Sequence, residues 1–473
     1  MSSRLLALRR RAPLIAFVLA SAVAFLLLLF LARDLTFFND DWAFIDARQD
    51  WTISSFMAPH NGHWSLMVAL VWKPLLEIVG LRSYLPYTAL LLIAHLLAAA
   101  GVYRTCSRLA GPWLGLGAAV LLLFAGYASE VFYLAFTVNL VGATAAGIWA
   151  VAFFLDNQST RTLAVGAALL VVAVATSGAG LFFVAAIAMS CVLYPARRRQ
   201  IWIVIPALVA YGAWLLLFGT SSFEGVGGAS PVGVIEFMVV GIAAAFGANL
   251  GLSSGLAQSL GTSGVLIAAF AALAAALLGL VAAIDLVHRR NVPIAVSIAL
   301  FGMLAEYMII GLARSGEFGV ANALSPRYAY MGSTLLLVGI AGWLGPRLKA
   351  LSLTGRRVRW VRMAAVVLVA FVVIDVIRLA GGSQTWLARA NDTRAVVSVF
   401  LQFGGTPAVP ADRSAPPLDD DPFVTAVPPP ARLDPLVARF GSPLANGTTD
   451  PRVPAATQER IRSAIFAASG QAQ

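Results

Sequence analysis

From Pro13 to Ala32 the chain reads PLIAFVLASAVAFLLLLFLA, an uncharged run preceded by Arg9, Arg10 and Arg11 and followed by Arg33 and Asp34. At about 1.5 Å per residue such a helix crosses about 30 Å of hydrocarbon, where only a helix satisfies its own backbone polar groups. The run is too long for the apolar core of a secretory leader and lacks a small-residue cleavage site, so it reads as an uncleaved anchor. Ten more runs of this kind follow, at roughly 84–103, 112–128, 134–155, 161–177, 179–196, 200–218, 264–287, 293–313, 327–345 and 362–380. The expected fold class is therefore an all-α polytopic membrane protein with about 11 transmembrane helices.

Composition agrees. Hydrophobic residues make up 60% of the 473 and charged residues only 12%, with a mean hydropathy of +0.84. A soluble domain carries about twice that charge. The net charge of +11 is spread in short clusters at the ends of apolar runs, which excludes a nucleic-acid-binding face and leaves topology signals. With the N-terminus cytoplasmic, eighteen of the 33 Lys and Arg residues fall on inner segments, seven on outer segments before residue 381 and eight in the tail. This bias predicts an N-inside, C-outside orientation. Two more apolar stretches, Trp64–Gly80 and Val232–Leu250, would invert every later loop if either alone crossed. Both are expected to lie at the outer interface or dip part-way in, and if both crossed the count would be 13. Lys73, Pro74 and Glu77 interrupt the first of them. Cys106 and Cys191 fall at a helix end and within an apolar run, where no disulfide framework can be read.

Two regions follow from this division: a membrane domain over residues 1–380, with its first outer loop at 33–83, and an extracytoplasmic C-terminal segment over 381–473. Twelve of the 23 prolines lie between Gly404 and Pro454, a composition that favours irregular chain. It fits either an ordered cap or a loose extension. The acidic run Asp419, Asp420 and Asp421 reads as a solvated turn before a proline. Inner loops are too short to fold a nucleotide-binding domain, and no phosphate loop of the GxxxxGK[ST] type occurs.

The first outer loop concentrates the ionisable side chains. It holds Asp34, Asp40, Asp41, Asp46, Asp50, His60 and His63, in a chain with four histidines. Adjacent acids in a half-dry place resist ionising together, so one of them should be tuned upward toward general-base work. The plainer reading is that Asp40 and Asp41 cap a short helix starting near Trp42. His60 and His63, spaced as on a helix turn, suit hydrogen bonding to a substrate or fixing of the loop, and two histidines alone are a weak metal signal. On the same face lie Arg314 and Arg327, the latter at a helix start where a guanidinium and free N–H groups receive phosphate, with Tyr328 beside it. Glu130 sits at the outer end of the third span.

This pattern resembles the GT-C glycosyltransferases, integral-membrane enzymes that take a sugar from a polyprenyl-phosphate carrier. The resemblance rests on the many spans, the acidic pair in Phe38-Asn-Asp-Asp-Trp42 soon after the first span, the His60-Asn-Gly-His63-Trp element, Ser325-Pro-Arg327-Tyr328 and the outer C-terminal segment. It implies transfer of a sugar to a cell-envelope glycan, lipid or protein hydroxyl by one inverting displacement. Asp40 or Asp41 would be the general base or help hold a divalent cation, Mg or Mn. His60, Asn61, His63, Glu130, Arg314, Arg327 and Tyr328 would bind substrate, Arg327 with Arg314 neutralising the departing lipid phosphate. The near-exclusive use of Arg over Lys and the abundant Ala and Gly point to a high-GC bacterium and its inner membrane. Two rival readings remain: a secondary transporter, against which stand the absence of a clear repeat and the few intramembrane charges (Asp285, Glu306, Asp375), and a noncatalytic lipid-binding protein.

Overall fold

The computed structural model describes residues 3–156, 159–219, 228–249, 279, 292–349, 355–415 and 426–470. In chain order the first elements are α1 (Ser3–Leu31), α2 (Asn39–Asp46), α3 (Ile53–Met57), a two-stranded hairpin of β1 (Pro59–His60) and β2 (His63–Trp64), and α4 (Leu66–Val79). The bundle continues with α5 (Leu85–Ala110), α6 (Pro112–Leu123), α7 (Ser129–Tyr133), α8 (Val138–Asp156), α9 (Thr160–Thr176), α10 (Gly180–Leu193), α11 (Ile205–Phe218) and α12 (Pro231–Asn249). After the undescribed stretch come α13 (Ile294–Phe318), α14 (Pro326–Lys349), α15 (Gly355–Phe403), α16 (Pro430–Phe440) and α17 (Ala455–Gly470).

Among the described residues, 9 helices are long and apolar enough to cross a membrane, with Thr160–Thr176 and Gly180–Leu193 apolar but shorter. Ten of the eleven expected runs fall on described helices; apart from Gly279, the run at 264–287 lies outside the described residues. Side chains facing outward on α1 and α15, such as Leu19, Leu26, Val366 and Val369, are exposed and apolar, as a hydrocarbon-facing surface requires. Inside, small residues let the helices approach closely. A Cβ on Gly147 of α8 would lie 2.2 Å from the Phe183 ring of α10.

Val232–Leu250 falls on α12, one of the helices long and apolar enough to cross a membrane, and it packs within the bundle. Helix α12 runs antiparallel to α13: Gly233 faces Ser315, Phe237 packs on Gly311, and a Cβ on Gly241 would lie 2.1 Å from the Tyr307 ring. The same four-residue step carries its far end along most of α13. Trp64–Gly80 differs. Its helix α4 has only 14 residues, too few to cross, and Lys73 is held at its side by Ser55 Oγ at 2.9 Å and by the Asp50 carbonyl.

The first loop and the tail together form a cap on one end of the bundle. Helix α15 does not stop at 380 but runs unbroken to Phe403. Its buried Arg394 donates to the Asp34 carbonyl at 2.5 Å and the Leu35 carbonyl at 3.2 Å, and faces Asp450 at 3.7 Å. Helix α16 returns over the first loop: Arg432 pairs with Asp46 and Arg439 with Glu77, each at 2.6 Å, and the Leu81 N–H donates to the Phe440 carbonyl at 2.9 Å. Of the cap and the loose extension, the described tail is the cap. Asp419, Asp420 and Asp421 lie outside the described residues.

Candidate functional site

The first-loop sequence Phe38-Asn-Asp-Asp-Trp42 folds as the start of α2, with Asp40 and Asp41 in its first turn. An acid at the third helical position can reach back to the N–H before the helix. Asp41 does so: its Oδ2 accepts from the Phe38 N–H at 2.8 Å and from the Tyr84 hydroxyl at 2.9 Å, and its Oδ1 accepts from the Phe136 N–H at 2.9 Å. The side chain is fully buried. Tyr84 in turn accepts from the Ala135 N–H at 2.7 Å, so one carboxyl ties α2 to the entrances of α5 and α8. Burial raises the Asp41 carboxyl to about 7, its hydrogen-bond donors oppose the shift, and Asp40 beside it adds to it. With both oxygens engaged and no opening to solvent, Asp41 is the buried member of the acidic pair.

Asp40, one position earlier, points the other way. Its Oδ1 accepts from the Asn61 side-chain amide at 3.0 Å at an exposed edge. Asn61 and Gly62 have φ of 47° and 79°, the left-handed pair that a two-residue hairpin turn requires. His60 and His63 are therefore cross-strand partners rather than neighbours on a helix turn, and the Asn-Gly dipeptide was the signal for it. The two histidines part company. His60 is buried edge-on against Phe44 and Phe136, at centroid distances of 5.4 and 4.5 Å, away from Asp40. His63 lies at the opposite flank, against the Gly178 turn between α9 and α10, where a Cβ would come within 2.9 Å of its Nδ1 and 3.3 Å of the Tyr211 hydroxyl.

The charges opposite come from the end of α13 and the start of α14. Arg327 pairs through Nε with Glu130 at 3.2 Å, and Asp40 is a further electrostatic partner of Arg327 and Tyr328. Its guanidinium stands 5.7 Å from the Tyr328 ring. Arg314 is loosely paired with Glu317 at 3.7 Å. Arg314 and Arg327 both act on His63: burial first, then these two charges, bring it down to about 4, so its imidazole is neutral at physiological pH. Asp40, Asn61, His63, Glu130, Arg314, Arg327 and Tyr328 thus gather at one end of the bundle, while Asp41 and His60 stand behind them as supports. Sequence reasoning passed over Tyr84, Gly178 and Tyr211, which position the loop; none stands in a chemical motif.

No protein-family model matches the chain, and no curated protein matches it. The chain is similar to a solved membrane-enzyme structure. That structure is the oligosaccharyltransferase of Archaeoglobus fulgidus, captured with a tethered acceptor peptide: 12% identity, TM-score 0.42, covering 97% of this chain and 68% of that one. A likeness of that size carries no residue-level correspondence.

A divalent cation would find little here. Among the described residues no group of three or more His, Cys, Asp and Glu could hold a metal ion, Asp41 is spent on three donors, and Glu130 faces Arg327. Mg and Ca sites take several oxygen ligands, and Asp40 alone does not supply them, so no step below runs through a cation.

Proposed function

We propose that this chain is a membrane glycosyltransferase that moves a sugar from a polyprenyl-phosphate carrier to a hydroxyl of a cell-envelope acceptor, at the extracytoplasmic face of a bacterial inner membrane. The observation that carries the reading is the convergence, at one end of an apolar helix bundle, of an accessible carboxylate, Asp40, with the guanidinium of Arg327. Asp40 takes the proton of the acceptor hydroxyl, whose oxygen attacks the anomeric carbon. The bond from that carbon to the phosphate oxygen breaks on the opposite side, giving inversion. Arg327 is engaged by Glu130 through Nε, which leaves its Nη groups as donors for the phosphate, and Arg314 adds a second positive charge. Charge grows on the phosphate as the bond breaks, so both arginines stabilise the transition state more than the bound carrier. Neutral His63 and Asn61 suit hydrogen bonds to sugar or acceptor hydroxyls without competing for the phosphate.

Transfer from a radiolabelled polyprenyl-phosphate sugar, measured in membranes, tests the assignment. Asp40→Asn should lower transfer about 100-fold or more, the range of a lost general base. Normal transfer by Asp40→Asn would remove the base, and solute uptake by reconstituted vesicles without consumption of lipid-linked sugar would favour a transporter.

A further inference from the structure

Between α2 and the start of α16 lies a cavity of about 690 Å³. Binding sites for small molecules run to about 300–1,000 Å³, so there is room for a sugar-sized guest. Ala43, Asp46 and Ala47 line it from α2, and Val427, Pro428 and Pro435 from the tail. Ala43, Ala47 and Arg432 are exposed at its rim, so it opens to solvent. The carboxylate and the guanidinium in its lining neutralise each other: Arg432 Nη1 donates to Asp46 Oδ2 at 2.6 Å. Gln49 donates its side-chain amide to the Asp46 carbonyl at 3.2 Å. Asp46 Oδ1, the Gln49 side-chain carbonyl and the Ser414 hydroxyl have no protein partner among the described residues, and Arg432 keeps donors to spare.

This chemistry selects a class of guest. A lining whose charges cancel gives an ion no net attraction, and covering its polar groups with a purely apolar molecule costs their hydration. No aromatic ring stands among the lining residues to stack on a planar base. A peptide would need backbone partners. Yet Pro428, Pro429 and Pro435 carry no N–H, and the N–H groups of Ala431 and Arg432 already donate to the Ala411 and Pro429 carbonyls, each at 2.8 Å. A neutral sugar fits. Its hydroxyls both accept and donate, matching Arg432 as donor and Asp46, Gln49 and Ser414 as acceptors, while its C–H faces rest on alanine and proline.

Position ties the cavity to the chemistry. Ala43 and Ala47 follow Asp40 by three and seven positions along α2 and its C-terminal cap. Residues at these spacings share one side of a helix, so the cavity begins about 4.5 Å along the axis from Asp40. We propose that it is an acceptor subsite, holding a neutral sugar of a glycan chain whose reacting hydroxyl is presented at Asp40. Its role as an acceptor subsite rests on the transferase reading; glycan binding by the cavity does not. The full chain in detergent, laid over an array of neutral pentose and hexose oligosaccharides and unmodified peptides, should bind at least one of the glycans saturably. Ala431→Trp and Ser414→Trp, which fill the cavity from separate segments, should each weaken that binding about 10-fold or more, and either serves if the other fails to fold. With the bound oligosaccharide as acceptor, the same variants should raise KM by a similar factor and change kcat less. No glycan bound, undiminished binding in both variants, or a preference for peptides would overturn the subsite. Glycan binding lost in both variants, from a chain that consumes no lipid-linked sugar, would keep the glycan site and overturn its acceptor role together with the transferase.

Discussion

Two adjacent acids illustrate how far one helical position separates roles. Successive helix positions point about 100° apart, and the third-position acid of a cap turns inward; hence Asp41 is a buried tie and Asp40 lies at the exposed edge beside Asn61. Their variants should separate cleanly. Asp41→Asn leaves a donor unpaired and should destabilise the protein by about 1–3 kcal/mol, read as a lower melting temperature. Asp40→Asn should leave melting nearly unchanged while lowering transfer about 100-fold or more. The raised Asp41 carboxyl also has a pH signature. Because its folded value lies near 7 against 3.8 for a free carboxyl, the stability it contributes is complete below 3.8 and is lost as pH rises through about 7. Melting curves taken across that window should flatten in Asp41→Asn relative to wild type. Sequence could place both acids at a helix start, but which one faces inward depends on Tyr84 and Phe136, 43 and 95 residues away.

At the scale of elements, the hairpin is held from both sides. His63 rests on the Gly178 turn, and His60 and Phe44 fill the space beneath. Gly178→Ala would press a methyl group against the His63 ring, so the strand must move. We expect transfer to fall with little loss of helix content by circular dichroism. Arg327→Gln should cost about 100- to 1,000-fold in turnover, as removal of a charge-stabilising donor does, with a smaller effect on carrier affinity. The spans were legible because length and apolarity alone decide them. The hairpin was legible too, through Asn61-Gly62, had the histidine spacing not suggested a helix. The packing of α12 along α13 was not, since an apolar run does not name its neighbour and the fit of Gly241 on Tyr307 joins residues far apart in sequence.

Across the whole molecule, the tail and the first loop hold each other through contacts more than 350 residues apart in sequence, which no local pattern announces. Their contributions are unequal. Arg394 is 1% exposed at its side chain and donates to the carbonyls of Asp34 and Leu35, so Arg394→Met should cost about 1–3 kcal/mol by leaving those acceptors unpaired, while Asp450 keeps Arg452 at 2.6 Å. Arg439→Ala, at an exposed pair with Glu77, should cost at most about 1 kcal/mol. Chemical melts of the two variants check the contrast. The helix that bears Arg394 has 49 residues, about 74 Å of continuous rod at 1.5 Å per residue. Its lower half lies among exposed apolar side chains and its upper half grips the backbone of Asp34 and Leu35. A rod so anchored would act as a lever: if a thinner bilayer tilted one arm, the other would pull on the irregular segment that leads to Asp40. Turnover in nanodiscs should therefore vary with acyl-chain length, and the dependence should vanish once the grip of Arg394 is cut.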